Sequence, residues 1–556
     1  MTTFVTAGNF VAGISAQGPA SSPTPGYNIT TNLPPLRFKP VWTDDEKMEA
    51  KGSASREIRL TVPTVLKVGY KVLDYKRNVR LSRWGNNGAG FIYKGTRPLS
   101  DFLLRSYDEE LPNDKGVPIG VDNVALAKLF RSNPQDFVEA NPGNNYQTMV
   151  QNNKKFHETI AAAFVRLDHD FLGDRLHLAY GVRFEQTYEK GRGGLFDPAG
   201  NYQRNASGQF IDATGRPVAP GTRPAVIWTG GSLGEAMARY IDYAAVAKVS
   251  YGNYFPSANL SYNLTPTLVT RLSFSTTIGR PDLTNIYPGI NLPDPALIPS
   301  ETNTSTYITA QNPGIKPWSS RNVALSLEYY HPRGVGTVAL RGYRRFVSDA
   351  FTNKVLSPKA ALDVLEQYGV DPDDYPDAYV STLQTIPGQI VTSGLELSGN
   401  VKLDPFLPPI ASGLQLNFSA SRSTMTGGGD AALAFAARNL YLVPYSVGGG
   451  LALNKRRFSV SVTGKWNSQQ RLSYIDYKTT STVDPGTYEY LAPVLRVDAD
   501  LAIHLTKNAS LFVNGRNVNN VESVQQRYSP ATPDIAKNFR RQAYQPVWTA
   551  GIRAKF

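Results

Sequence analysis

The sequence of 556 residues contains no cysteine, which excludes structural disulfides, thiolate metal sites and cysteine nucleophiles. It also has no run of eighteen apolar residues, the length that a membrane-spanning helix requires. Only five histidines are present, and none has the spacing of a zinc-binding helix. The sequence lacks a GxSxG elbow, a phosphate-binding glycine loop and a convincing pair of catalytic carboxylates. We therefore expect no enzyme activity, no metal site and no cofactor.

Runs of basic residues are also missing, although the net charge is +13. Lysine and arginine are scattered along the chain and never form a run of five or six, so we do not expect a nucleic acid partner. Aromatic residues are abundant, with 30 tyrosines against 24 phenylalanines and 6 tryptophans. Such an excess of tyrosine suits a surface that is half apolar and half wet, such as a membrane interface.

The last ten residues alternate strictly in character. Counting back from Phe556, every second residue is small or apolar, and these residues are Ala554, Ile552, Ala550 and Trp548. Because side chains alternate across a strand, one face is apolar and the other is polar or bare. A strand with lipid on one side and a watery lumen on the other shows this pattern. We predict that Trp548, Ile552 and Phe556 face lipid.

The same alternation recurs along the chain, separated by connections of two kinds. Short connections are predicted near Tyr75–Asn78, Phe171–Asp174, Asn263–Thr267, His331–Gly336, Lys402–Ser412, Asn454–Arg457 and Thr506–Ala509. Long connections are predicted over about 91–154, 190–250, 281–318, 351–387, 426–440, 471–487 and 520–542. Helices are predicted at Val121–Phe130 and Lys359–Tyr368, within two of the long connections.

Strict alternation of short and long connections predicts an all-β fold, an antiparallel up-and-down transmembrane β-barrel with short periplasmic turns and long extracellular loops. Seven hairpins and a final strand give about 15 strands. Bacterial barrels have even strand numbers, so we expect this barrel to be incomplete. The predicted barrel covers 56–556 and begins with the strand Arg56–Asp74, and residues 1–55 are predicted to be an extracellular loop with a possible strand stub at Thr2–Phe10.

Four arginines are predicted to face the lumen: Arg183, Arg271, Arg341 and Arg496. One interpretation is that they contact an anionic substrate or a domain inside the barrel. The other is that they pair with lumen carboxylates such as Glu185, Asp498 and Asp500.

Several stretches resemble the C-terminal barrel of the TonB-dependent outer-membrane receptors. They are Tyr254–Tyr262 followed by Leu272–Pro281, Asn312–Pro317 leading into Asn322–Tyr330, Gly394–Leu397, Asn514–Asn520 and the terminal aromatic residue. In this order they cover roughly residues 150–556.

The resemblance implies a 22-stranded barrel plugged by an N-terminal domain, in the outer membrane of a Gram-negative bacterium. Such receptors take up a scarce nutrient, such as a siderophore, cobalamin or an oligosaccharide, with energy passed through TonB. The implied partners are outer-membrane lipid and the barrel assembly machinery, for which Trp548, Ile552 and Phe556 would be the signal. No plug or signal peptide pattern is seen, so we expect a truncated, non-autonomous fragment that engages TonB only if a plug is supplied.

Two alternatives stay open. One is another outer-membrane barrel, either an adhesin or a passive porin. The other is a soluble β-rich carbohydrate-binding protein.

Overall fold

The structure is a computed structural model. It describes residues 41–59, 61–81, 90–97, 99–104, 120–219, 221–300, 303–371, 373, 375, 377–385, 388–408, 410, 412–427, 439–475 and 483–554.

One large antiparallel meander dominates the described residues. Its strands are β1 (Val41–Arg59), β2 (Pro63–Leu81), β3 (Lys154–Phe171), β4 (Leu176–Phe196), β5 (Tyr240–Thr265), β6 (Leu268–Gly279), β7 (Trp318–Tyr330), β8 (Gly336–Ser348), β9 (Gln389–Lys402), β10 (Leu414–Thr426), β11 (Tyr445–Asn454), β12 (Phe458–Asn467), β13 (Val494–His504), β14 (Ala509–Arg516) and β15 (Val547–Ala554). The sheet counts nineteen strands, and four of these are short loop strands, which leaves fifteen in the meander. The predicted number of strands is therefore confirmed.

Each strand of the meander pairs with its neighbours in sequence, from β1–β2 through to β14–β15. β1 and β15 are its two edges, and they do not pair with each other among the described residues. The barrel formed by these fifteen strands is therefore not closed, as the odd strand number predicted.

The predicted beginning of the barrel is wrong. β1 covers Val41–Arg59 and pairs with β2 along its whole length, so the loop predicted over 1–55 is wrong from residue 41 onward. The turn predicted at Tyr75–Asn78 lies inside β2, and the hairpin instead reverses between Arg59 and Pro63. The cause is the run Asp44–Lys47, whose charges on both faces of β1 hide the alternation. Residues 1–40, including Thr2–Phe10, lie outside the described residues.

The other six short connections lie at the predicted places, at 172–175, 266–267, 331–335, 403–413, 455–457 and 505–508. Several use the turn chemistry that the sequence indicated. Leu172, Gly173 and Asp174 all have positive φ in the β3–β4 turn, and so does Gly334 in the β7–β8 turn.

The long connections carry their own secondary structure. Their helices are α1 (Asn123–Ser132), α2 (Pro142–Asn152), α3 (Leu233–Arg239), α4 (Leu283–Ile286) and α5 (Leu362–Gln367). α1 and α5 confirm the two predicted helices, and Asp122 caps α1 by accepting from the Val124 and Ala125 amides. Short 3₁₀ turns occupy Leu99–Phe102, Pro134–Asp136, Pro198–Asn201, Thr304–Thr306, Pro358–Ala361 and Asp534–Ala536 in the long connections, and Asp404–Phe406 in the short connection after β9.

Short strands also form within these connections. They are Gly90–Tyr93, Leu103–Leu104, Gly120–Val121, Phe137–Ala140, Ile290–Asn291, Tyr307–Ala310, Phe351–Leu356, Tyr379–Thr385, Gln470–Tyr474, Tyr488–Leu491, Ser523–Tyr528 and Asn538–Gln542. Alternation over so few residues is too weak a pattern to predict them.

No helix within the described part of the chain is long and apolar enough to cross a membrane.

The register of the meander defines two faces, because directly paired residues point to the same side of a sheet. We call the face that carries Arg271 the inner face and the opposite one the outer face. The outer face bears large apolar side chains that are exposed in this chain, including Leu325 at 55%, Leu395 at 55% and Leu451 at 50%. A face of this kind is stable only against an apolar surrounding such as lipid.

Candidate functional site

The four predicted arginines share the inner face of the meander. Arg271 is paired with Ser261 on β5 and Ser326 on β7, and Ser326 is paired with Arg341. Arg183 lies six residues after His177 on β4, so both side chains point to the same side of the sheet, and His177 is paired with Ser261. Arg496 is paired with Lys465 on β12. The register of β7 to β12 places Lys465 on the same face as Glu328, and therefore on the inner face.

Arg271 lines a groove of about 470 Å³ on the inner face. Its Nε donates to Glu328 Oε2 at 3.2 Å, and its Nη1 donates to Ser261 Oγ at 3.1 Å. Glu328 also accepts from Ser326 Oγ at 2.9 Å and from the Tyr330 hydroxyl at 2.7 Å. The carboxylate therefore has three donors and is largely satisfied within the wall.

Arg183 belongs to a second network, nearer the long connections. Its Nε donates to Glu185 Oε1 at 2.7 Å, while Arg280 Nη2 donates to Glu185 Oε2 at 3.0 Å. Arg280 also lies 3.8 Å from Glu158, and its Nη2 donates to Thr187 Oγ1 at 3.3 Å. The network joins β3, β4 and the residue after β6. Arg183 is thus paired with a carboxylate on the same face of the sheet.

Arg341 and Arg496 differ from the other two arginines. Within the described ranges neither makes an ion pair, and Arg341 lines the same groove as Arg271. Asp498 pairs instead with Arg516 at 3.8 Å, and Asp500 accepts from Ser461 Oγ at 3.2 Å. The pairing of Arg496 with Asp498 or Asp500 that the sequence suggested is thus not found.

The terminal strand places Trp548 and Ile552 on the outer face. Ile552 is paired with Leu511, and Trp548 is paired with Gly515. The two side chains are 62% and 72% exposed. Phe556, the third residue of the predicted assembly signal, lies outside the described residues.

Two of the long connections, 280–317 and 349–388, pack into one unit. Ile290, Ile308, Val364, Leu365 and Val380 form its core and are at most 1% exposed. The Tyr368 hydroxyl donates to the Gln311 carbonyl at 2.9 Å and accepts from the Gly289 amide at 3.2 Å. Burial raises the pKa of Tyr368 and keeps the hydroxyl protonated. These contacts hold the two connections together.

A second pair of connections forms a four-stranded sheet rich in tyrosine and arginine, built from Gln470–Tyr474, Tyr488–Leu491, Ser523–Tyr528 and Asn538–Gln542. The rings of Tyr490 and Tyr528 stack at 4.1 Å. Arg527 lies 3.8 Å from the centre of the Phe539 ring and donates to Glu489 Oε1 at 2.6 Å. Stacked rings and arginines of this kind make a stiff scaffold for a loop end.

Sequence reasoning missed Glu328, Arg280 and the tyrosine–arginine sheet. Glu328 lies two residues before Tyr330 on a strand whose residues alternate in character. Its position on the inner face could therefore have been predicted from that pattern. Arg280 falls just after a strand, where alternation no longer indicates direction. Within the described ranges, no three histidine, aspartate or glutamate side chains come together in a way that could hold a metal ion.

Comparison with curated proteins found no match. Among solved structures, the chain is similar to the ferric-catecholate import receptor Fiu of E. coli K12, with 10% identity, 93% of this chain and 55% of that chain covered, and a TM-score of 0.50. It is also similar to the FrpB iron transporter of Neisseria meningitidis, with 12% identity, 92% and 55% covered, and a TM-score of 0.47. The siderophore receptor PiuA of Acinetobacter baumannii has 11% identity, 92% and 56% covered, and a TM-score of 0.46. The chain thus spans a little over half the length of these structures.

A family model described as "TonB dependent receptor-like, beta-barrel" matches residues 7–518. Members of this family are outer-membrane proteins of Gram-negative bacteria. The match covers most of the chain and agrees with the alternating short and long connections and the two-faced strands. The chain belongs to the TonB-dependent receptor β-barrel family.

Proposed function

We propose that this chain forms the barrel wall of an outer-membrane receptor for the energised uptake of a scarce nutrient, such as a siderophore, cobalamin or an oligosaccharide. The observation that carries the proposal is the fifteen-stranded meander, with an apolar outer face, a charged inner face and packed connections at one end. A passive pore needs only the first two of these features. The packed connections supply a rigid surface on which a ligand can be bound outside the cell.

The inner face supports the presence of an occupant inside the barrel. Arg341 lines the groove beside Arg271 and has no ion pair among the described residues, whereas Glu328 already accepts three hydrogen bonds. A guanidinium with free donors is suited to a carboxylate or a backbone carbonyl. We assign Arg341, together with Arg496, to contacts with a polar domain or substrate in the lumen.

The two edges of the meander bear on assembly. Unpaired strand edges are not tolerated in lipid, because their N–H and C=O groups have no water there. We infer that further strands cover β1 and β15 in the assembled barrel. Engagement of TonB would require a plug domain within that assembly.

Uptake in cells tests the proposal. Labelled ferric siderophores, cobalamin and oligosaccharides are offered to a strain that expresses this chain together with the strands and plug domain that complete the receptor, and to the same strain without TonB. Iron chelates enter the panel because the similar Fiu structure is that of a ferric-catecholate import receptor. We expect saturable uptake of one class that is lost without TonB. Uptake that is unchanged without TonB would show a passive pore instead.

A pair of variants then distinguishes a specific role of the inner face in uptake from a general loss of folding. We expect Arg341→Gln to lower the initial uptake rate about tenfold, as the loss of one charge-assisted hydrogen bond predicts. Arg333→Gln is the matched control, since Arg333 is exposed in the turn that leads into the same strand. Equal rates for the two variants would refute the role of Arg341.

A further inference from the structure

Two glutamates face each other across β3 and β4 on the inner face of the meander. Glu158 and Glu189 are directly paired, so their Cβ atoms are about 5 Å apart. Glu189 lies six residues after Arg183 on β4 and therefore points to the same side of the sheet. The pair lies near the end of β4 that leads into a long connection, and hence inside the mouth of the barrel.

Residues 280–289, at the start of a long connection, cover this pair, and we call them the seated segment. Its Pro288 is less than 2% exposed, and the ring of Tyr287 packs edge-on against the ring of Phe156 at 6.0 Å. Phe156 is paired with Gly191, two residues beyond the glutamates on the same face. A Cβ atom on Gly191 would clash with Pro288, so glycine permits this close approach. The seated segment therefore separates the two glutamates from the lumen.

The two carboxyl groups are buried with few partners. Glu189 is 9% exposed, and the side chain of Glu158 is 14% exposed. The Tyr251 hydroxyl donates to Glu189 Oε1 at 2.9 Å, and Arg280 Nε lies 3.8 Å from Glu158 Oε2. Arg280 is shared, because its Nη2 also donates to Glu185.

The charges in this site balance only when one proton is present. The site holds three carboxyl groups, those of Glu158, Glu185 and Glu189, and two guanidinium groups, those of Arg183 and Arg280. Two like charges that face each other beneath a cover repel with little screening by water. A single proton between Glu158 and Glu189 removes that repulsion and brings the net charge of the site to zero.

The other titratable or charged groups that face the site do not alter this balance. They are Tyr75 and Arg77 on β2, Lys154 on β3, and Asp282 and Tyr287 in the seated segment. Tyr75 and Arg77 both contact Asp45, and Asp282 caps α4 by accepting from the Thr284 amide. Lys154 lies four residues from Glu158, or roughly 13 Å along the strand.

We propose that Glu158 and Glu189 share one proton, and that this proton keeps the seated segment on the wall. Loss of the proton leaves two facing carboxylates beneath the segment, and the segment lifts because water then relieves the repulsion. The seated form binds one proton more than the lifted form, so it is stable at low pH and is lost as the pH rises. The entrance to the lumen thereby becomes sensitive to pH. This device belongs to the wall and does not depend on which nutrient is taken up.

Cysteine accessibility tests the proposal, because the native chain has no cysteine. Ile286 in the seated segment is 4% exposed, so Ile286→Cys should react with a maleimide only when the segment lifts. The labelling rate is measured on the assembled barrel in outer-membrane vesicles. It is divided by the rate of Ser207→Cys, which is exposed and corrects for ionisation of the thiol. Between about pH 6 and 8 we expect this ratio to rise, by up to about tenfold per pH unit, because one proton is released.

Glutamine variants in the Ile286→Cys background separate this proton from a general loosening at high pH. Glu189→Gln keeps an acceptor for Tyr251 and needs no proton, so the ratio should stay low and flat. Glu158→Gln should behave in the same way. Glu57→Gln is the matched control, since Glu57 is exposed on the inner face of β1 and its loss should leave the rise unchanged.

Three results would overturn the proposal. One is a flat ratio in Ile286→Cys alone, and another is a rise that persists in both Glu158→Gln and Glu189→Gln. The third is a return to a low ratio at about pH 8 when millimolar Ca²⁺ is added, which would show that a metal ion and not a proton neutralises the pair.

Discussion

Ile552 is paired with Leu511 across the last two strands, in the outer-face row that also holds Ile503 and Phe458. This row lies near the short turns, since only the Ala509–Ala554 pair follows it on the same face of β14 and β15. Leu451 lies nearer the middle of its strand, between Leu416 and Val462. Leu451 and Ile552 therefore lie at different depths of the same apolar face.

Lysine substitutions measure this difference in depth. We expect Leu451→Lys to destabilise the assembled barrel by about 2–4 kcal/mol, and Ile552→Lys by about 0–1 kcal/mol, because a charge costs less near the interface. Unfolding by denaturant from lipid vesicles provides the free energies. Equal costs at both positions would contradict the assignment of depth, and no cost at either would contradict the assignment of the face.

The pair Arg271–Glu328 permits a double-mutant cycle. Arg271 is half exposed and Glu328 retains Ser326 and Tyr330 as donors, so we expect a coupling energy below about 1 kcal/mol. Arg271→Gln, Glu328→Gln and the double variant supply the cycle from denaturant unfolding. A coupling of several kcal/mol would mean that the groove is shielded from water far more than the structure indicates.

Tyr368 should control how firmly two connections hold together. Tyr368→Phe removes one donated and one accepted hydrogen bond and leaves buried groups unpaired, at a cost of about 1–3 kcal/mol. We expect faster amide hydrogen exchange at 280–317 and 349–388. Tyr441→Phe is the control, because Tyr441 is 62% exposed. Unchanged exchange in Tyr368→Phe would show that the apolar core alone holds the unit.

Ionisation of Tyr202 should make the stability of the folded chain depend on pH in the alkaline range. Its hydroxyl donates to both oxygens of Asp294, at 2.8 and 3.0 Å, and burial with this carboxylate raises its pKa to about 12. A folded-state pKa above the unfolded value of about 10 means that the stabilisation is complete below pH 10 and is lost as the pH rises through 12. Tyrosinate absorbance should lose one late-titrating group in Tyr202→Phe, while the other buried tyrosines such as Tyr368 keep theirs. In Asp294→Asn this group should titrate earlier.

Much of the barrel could be predicted because alternation and turn chemistry act locally. The alternation within β4 and the turns from Phe171 onward follow from residues within the same hairpin. β1 could not be predicted, because Asp44–Lys47 places charge on both faces and only the pairing with β2 reveals the strand. The partners of the arginines were equally out of reach, since Arg271 and Glu328 meet only through the register of β6 and β7.

Cysteine labelling tests the orientation of the barrel most directly, because the native chain has no cysteine. Ser207 is exposed in the connection between β4 and β5, and Lys507 is exposed in the turn between β13 and β14. We predict that a membrane-impermeant maleimide labels Ser207→Cys in intact cells and labels Lys507→Cys only after the outer membrane is opened. Rapid labelling of Lys507→Cys in intact cells, with Ser207→Cys protected, would contradict a barrel whose long connections face outward.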